Sequence, residues 1–251
     1  MEGKKQKLKP GGWGGEPIEV VRGYKYLGVT MTSSLSLTDH FQDRAMAASM
    51  AVNKLWPMMT RSGIAVGVKW RVYDSAAKSV ILYTAQVWGY RECSIVERSQ
   101  YNFIRRLFAL PMHTPRYVLK LETGRTSMFL MALPIHVQYI LRALALPDGR
   151  LPRILAWEGI RQQLPWVVEW RSMARTCGVD LDGAWDPVRL KAEWQRIYEQ
   201  LRVRERQRWM EGASMSRFHM HYVRIINSHD PPNFNWRLRL TMSALAAERR
   251  N

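Results

Sequence analysis

Three stretches of this sequence hold residue types that could do chemistry, and in none does the spacing match what that chemistry needs. Asp180-Leu181-Asp182-Gly183-Ala184-Trp185-Asp186 gathers three carboxylates, as a calcium loop does. A calcium loop needs its glycine sixth and a glutamate twelfth; here the glycine comes too early and Lys191 stands twelfth. The stretch reads as a polar turn ahead of a helix. His219, His221 and His229 would need a distant carboxylate to hold a metal, and no zinc-ligand spacing accompanies them. Cys93 and Cys177 are too few for a zinc site or a disulfide framework, so they read as small buried residues in a reducing, intracellular protein. No GxxxxGK[ST] or GxGxxG loop occurs. The glycines of Gly11–Gly15 have no strand before them and no helix signal after them. No two aspartates are adjacent, and no Ser, His and acid form a nucleophile elbow. The expected catalytic, cofactor-binding and metal residues are therefore none.

What remains is positive charge and aromatic surface. Lys and Arg number 38 against 21 Asp and Glu, a net charge of +17 and a pI near 10.3. That balance points to a polyanion, nucleic acid ahead of an anionic membrane surface. Lys4, Lys5, Lys7 and Lys9 form a basic tail. Arg202, Arg204, Arg206 and Arg208 recur every second residue, which spreads them around a helix as a solvated face. Lys69, Arg71 and Lys78, with Arg98, Arg105 and Arg106, stud one helical region. Such a region follows a phosphate backbone by charge without reading sequence. The 11 tryptophans could stack on bases, but most sit at helical spacing among apolar residues, so core packing is expected for the majority.

These residues need elements to hold them. The chain's 251 residues suffice for one large or two small domains, and 47% hydrophobic with 24% charged residues excludes wholesale disorder. No run of 18 apolar residues occurs, so no membrane span is expected, and Met1–Pro10 lacks the apolar stretch of a signal peptide. Residues 1–15 read as a basic flexible leader. Residues 17–21 and 24–31 read as two strands joined at Arg22-Gly23, with Leu27, Val29 and Met31 alternating onto one face. A lone hairpin is not stable, so that face needs a helix or sheet partner.

Helix signals then dominate. Asp39 with Gln42 reads as a capping box, and Phe41, Ala45, Ala48, Val52, Leu55 and Met59 repeat at helical spacing. Pro57 is expected to kink or end that helix near Leu55. Val72, Ala76, Val80, Tyr83 and Val87 stripe a second helix. Ser94 with Glu97 caps a third, striped by Val96, Phe103, Leu107 and Leu110 and stopped by Pro111. Thr114-Pro115 opens the next helix, which Gly124 closes. Residues 127–146 suit a buried helix with a kink at Pro134, and Pro147-Asp148-Gly149 is a turn. Leu164-Pro165 opens a tryptophan-rich segment that Gly178 closes. Asp186-Pro187 opens a long helix to Met210 with Gly212 as its stop. One more helix capped by Ser214 or Ser216, and a basic segment over Trp236–Asn251, follow. The expected fold is mainly α, with a short N-terminal β-hairpin, then a three-helix bundle and a second helical region.

Several of these blocks carry a resemblance. Ile18-Glu19-Val20-Val21, Tyr24-Lys25-Tyr26-Leu27-Gly28-Val29, Leu35-Ser36-Leu37 and His40 resemble the palm–thumb junction of non-LTR (LINE-like, jockey-like) retrotransposon reverse transcriptases. Ala85-Gln86-Val87-Trp88-Gly89-Tyr90 resembles that family's Y-x-A-x-x-W-G segment. Phe103–Pro111, His113-Thr114-Pro115, Tyr117 and Leu121-Glu122-Thr123-Gly124 resemble its L-x-L-P-x-x-T-P-x-Y … E-x-G segment. The blocks agree in order and spacing, from about Gly11 onward and more loosely toward the end.

The resemblance implies a palm/thumb-junction hairpin at 16–31, a thumb-like helical bundle at 32–110 and a helical connection region at 111–251. It implies contact with an RNA or DNA duplex through the backbone, an upstream polymerase palm as partner, and a nuclear location. Lys25, Arg44, Lys54, Lys69, Arg71, Lys78, Arg105 and Arg106 are basic, lie on the junction and thumb-like segment, and are the expected phosphate contacts; each taken singly also fits a solvated surface charge. The family's fingers, its palm with the catalytic aspartates, its endonuclease domain and its Cys/His cluster have no counterpart in these residues, and two-metal polymerase chemistry needs such carboxylates. Pro57 departs from the family's usual first thumb helix. The expected function is thus a catalytically incomplete C-terminal fragment of a reverse transcriptase that retains sequence-independent duplex binding. The alternative is a helical protein-interaction or structural module derived from a retroelement. No cofactor and no membrane partner are expected.

Overall fold

Two short antiparallel pairs come first in the chain, Gly12–Trp13 (β1) with Glu16–Pro17 (β2) and Gly23–Tyr26 (β3) with Val29–Thr32 (β4). They belong to a computed structural model that describes residues 12–13, 16–17, 21, 23–34, 36–61, 63–183, 185–217 and 222 and is mainly helical. The basic tail, most of the first expected strand, His219, His221 and His229, and the C-terminal basic segment lie outside the described residues.

The hairpin differs from its expected form. Residues 24–31 are not one strand, because the chain reverses at Leu27-Gly28, with φ of 47° and 80°. Positive φ at both central positions gives a two-residue turn the twist that paired strands require. Tyr83 closes over this turn: its hydroxyl donates to the Leu27 carbonyl at 2.8 Å, and a Cβ on Gly28 would lie 2.8 Å from its ring. Leu27 therefore sits exposed at the tip instead of on an apolar face.

Thr38–Met59 forms α1, and here two local expectations fail. Its N-cap is Leu37, with no side-chain cap, so Asp39 serves as a first-turn carboxylate at the positive end of the helix. Pro57 does not end the helix. It removes only the amide partner of the Asn53 carbonyl, two residues before the helix stops anyway. Val66–Tyr73 (α2), a π-helical turn at Asp74–Lys78 and Ser79–Ile81 (α3) follow in unbroken succession, and Thr84 in the left-handed region (φ 58°) separates them from Ala85–Trp88 (α4). The buried face here is Trp70, Tyr73, Ala77, Ile81, Ala85 and Trp88, while Tyr83 and Val87 are exposed. The expected valine stripe is thus displaced, because burying two tryptophans and a tyrosine removes more apolar area from water.

Ser94–Leu107 (α5) starts after an N-cap at Cys93 without a side-chain cap, so the expected Ser94–Glu97 box does not form. Arg116–Thr123 (α6) has Pro115 as its N-cap, one residue later than expected. Met128–Leu144 (α7) is capped by Ser127, whose hydroxyl accepts from Leu130 N at 3.1 Å. Pro134 leaves the Leu130 carbonyl without its usual amide, and the Tyr198 hydroxyl replaces it at 2.9 Å. Leu151–Arg161 (α8) packs on α7, and Pro165–Thr176 (α9) follows. Pro187–Ser214 (α10) is capped by Asp186, which accepts from Val188 N and Arg189 N, and it runs through Gly212.

Two groups of buried side chains form the core. The first spans Phe41 to Ala132 and centres on Tyr73 stacked on Phe103 at 4.0 Å with Trp70 edge-on. The second spans Phe129 to Ile197 and centres on Trp166, Trp170, Trp185 and Trp194. The change-over falls within α7. There α4 approaches so closely that a Cβ on Gly89 would meet the Ala132 carbonyl oxygen at 2.5 Å.

Candidate nucleic-acid interface

The groove nearest to the expected binding segment lies between α1 and α5, with an apolar lining edged by two arginines. Ala45, Ala48, Ser49, Val52 and Asn53 line its α1 side, and the small side chains of the first three leave room for a ligand backbone to approach. Arg98, Asn102 and Arg106 line its α5 side, at spacing i, i+4 and i+8. They therefore share one helix face, and the two arginines stand about 12 Å apart along the axis. The groove holds about 250 Å³ and is floored by Tyr73, Ala77 and Ile81. Arg106 is held in place: its guanidinium lies 4.0 Å over the Trp56 ring and donates to Asn53 Oδ1. Cation–π stacking of this kind fixes the orientation of the group while leaving its charge available.

The eight expected phosphate contacts do not gather into one patch. Among them, Arg106 lines this groove. Lys25 is exposed on β3, Lys54 on α1 and Arg71 on α2. Arg44 is half-buried beside Tyr83, 5.7 Å from its ring centre, and Lys69 is half-buried on α2. Lys78 pairs with Asp74 at 3.1 Å, and Asp74 also takes both guanidinium nitrogens of Arg125. Arg105 donates to the Thr114 carbonyl at 3.0 Å, and burial with Arg116 nearby pushes its pKa down. Its work is to fix the loop after α5. Arg98, Asn102 and Arg106 make the better-formed stripe, and their spacing of four was present in the sequence.

A second cleft of about 300 Å³ lies between α6 and α10 and mixes charges: Arg125 comes from the loop after α6, and Glu199, Arg202, Glu205 and Arg206 come from α10. Beneath it Lys120 is buried. Its ammonium donates to Gln100 Oε1 at 2.5 Å and the Thr126 carbonyl at 3.1 Å, and it pairs with Glu97 at 3.5 Å. Burial pushes the Lys120 ammonium down and the Glu97 carboxyl up, while their mutual attraction opposes both shifts. Glu97 and Glu205 accept from Phe129 N and Ser127 N at the positive end of α7, so both carboxylates act as structural caps. Among the described residues, no group of three or more His, Cys, Asp or Glu could hold a metal ion.

No family model matches this chain, and neither a curated protein nor a solved structure shows significant similarity to it.

Proposed function

We propose that this chain holds an RNA or DNA duplex by its backbone, without reading sequence, as the thumb-and-connection part of a reverse-transcriptase-like polymerase. On this reading it does no chemistry alone, and the catalytic palm is a separate upstream partner. The observation that carries the proposal is the Arg98–Asn102–Arg106 stripe, which faces the small side chains of Ala45, Ala48 and Ser49 across the groove in a chain with a net charge of +17. A phosphate backbone needs donors and room to approach, and Arg106, held by Trp56 and Asn53, is a fixed donor at this groove. The hairpin adds support. Tyr24, Tyr26 and Met31 lie on its outward face with 60%, 56% and 41% exposure, while Thr30 on the other face donates to Asp43 of α1. An apolar sheet face turned outward is where a palm would dock.

The test is a titration of the full chain into a fluorescent RNA–DNA duplex at a series of salt concentrations. Affinity is expected to fall steeply as salt rises, because bound phosphates release counterions. Changing Arg98 and Arg106 together to Ala is expected to lower the log–log salt slope by about 2, with equal loss on unrelated sequences. No binding at low salt, binding that ignores salt, or primer extension by this chain alone would overturn the proposal.

A further inference from the structure

The floor of the α1–α5 groove does not suit a phosphate. It consists of Tyr73, Ala77, Ile81 and Phe103, with Tyr73 stacked on Phe103 at 4.0 Å. A phosphate set on that floor gives up its water and gains no hydrogen bond in return. Phosphates therefore stay at the rim, with Arg98 and Arg106, and the interior fits an occupant with an apolar face. Its volume of about 250 Å³ lies below the roughly 300 Å³ at which pockets for drug-sized ligands begin, which limits the occupant to a single small ring system. The groove stays open although Ala45, Ala48 and Ser49 of α1 and Ser99 of α5 are small enough to let the two helices close. Packed helices otherwise interdigitate and leave few such voids.

The polar groups at the rim narrow the choice further. Asn102 is exposed midway between Arg98 and Arg106, about one helical turn from each. A side-chain amide both donates and accepts. Phosphate oxygens only accept, so half of this amide would be idle against a backbone. The edge of a nucleobase carries donors and acceptors together, and the amide can turn to match their order. The cations on either side of Asn102 repeat the order of a strand, in which a phosphate lies on each side of every base. Arg98 is exposed, and Arg106 is fixed 4.0 Å over Trp56. A base that is paired and stacked in a duplex offers neither its face nor its pairing edge, so only a base outside the stack can enter.

We propose that the α1–α5 groove takes one unpaired base of the bound nucleic acid, its face on the apolar floor, its edge on Asn102 and its two neighbouring phosphates on Arg98 and Arg106. This rests on the nucleic-acid reading given above and deepens it, because the chain then prefers a duplex with an unpaired nucleotide to a fully paired one. An apolar floor and an amide that can turn accept any base, so the preference is for the absence of pairing and not for a sequence.

Three fluorescent RNA–DNA duplexes titrated with the full chain at one low salt concentration test this: one fully paired, one with a single bulged nucleotide, and one whose bulged nucleotide lacks its base. The bulged duplex is expected to bind about tenfold more tightly than the paired one. Removing the base while keeping its phosphates is expected to abolish that gain. Ser49→Phe, at an exposed α1 position that lines the groove, is expected to bring the affinities for bulged and paired duplexes together. Equal, salt-sensitive binding of all three duplexes overturns the base site and leaves the backbone grip standing. A gain that survives loss of the base also overturns it, since an easily bent backbone then explains the preference. A preference that survives Ser49→Phe puts the base elsewhere and overturns the assignment to this groove. No binding of any duplex overturns the nucleic-acid reading as well, and uptake of decanoate in that case assigns the groove to an aliphatic anion.

Discussion

His136 shows how much a single residue depends on neighbours that the sequence does not announce. It is buried on α7 among Tyr90, Trp166 and Trp170, and its Nδ1 lies 2.7 Å from the Gln86 carbonyl. A carbonyl only accepts, so Nδ1 carries a proton and donates it, while Nε2 finds no hydrogen-bond partner among the described residues. Burial pushes its pKa down to about 4. The unfolded chain, with an ordinary histidine near 6.5, therefore binds more protons between those two values, and stability falls as pH drops from 6.5 toward 4. This histidine contributes a loss of up to about 3 kcal/mol over that window and no further loss below it. Denaturant unfolding at pH 7.5 and pH 4.5 checks this. The wild type is expected to lose more stability on acidification than His136→Phe, and equal losses would refute the assignment. No sequence pattern marked this residue, because its burial comes from the meeting of α4, α7 and α9. The histidines whose spacing suggests metal ligands, at 219, 221 and 229, lie outside the described residues.

At the level of elements, most helices were legible from prolines, glycines and spacing, and the errors have identifiable causes. Asp186-Pro187 correctly marked the start of α10, because a side-chain cap and a proline at the first position both suit a helix N-terminus. Pro57 and Gly212 resemble stop signals, yet near the end of a helix each removes little. Helix α8 lacks the usual capping signals, since its N-cap Arg150 makes no side-chain cap and its C-cap is Gln162. Gly89, directly after α4, has a packing role that no local spacing announces. A methyl group there would lie 2.5 Å from the Ala132 carbonyl oxygen and 2.6 Å from that of Ala85, both backbone atoms that cannot step aside. Gly89→Ala is expected to destabilise the protein by about 3 kcal/mol by forcing α4 away from α7. Gly67→Ala on α2 is the control, since nothing lies within 4 Å of its added methyl, and it is expected to be neutral or slightly stabilising. Thermal unfolding of the two variants side by side decides this; a Gly89→Ala protein as stable as the control would show that α4 and α7 do not need this close approach.

For the whole molecule, the sequence made net charge legible but not the distribution of that charge. Lys78 is taken by Asp74, Arg208 reaches Glu92 at 3.8 Å and Arg105 is tied to a carbonyl, so the positive field is set by those cations that pairing leaves over. The order of the chain likewise suggested two successive helical regions but not how they are joined. They share α7. Met128 and Ala132 on this helix belong to the first core, and Phe129, Leu130, Leu133, Val137 and Ile140 belong to the second. Its N-terminal end is held from both sides, by Glu97 of α5 on Phe129 N at 3.1 Å and by Glu205 of α10 on Ser127 N at 3.2 Å. Neither core can lose α7 without opening the other, so the two are expected to unfold as one unit. Tryptophan reports on both, through Trp70 and Trp88 in the first and Trp170 and Trp194 in the second. Denaturant unfolding followed by tryptophan fluorescence and by helical circular dichroism is therefore expected to give one transition with coincident midpoints. Two separated transitions would show that each core stands alone and that α7 merely bridges them. The grip proposed for the α1–α5 groove would then have to be tested in isolation from the helices that follow it.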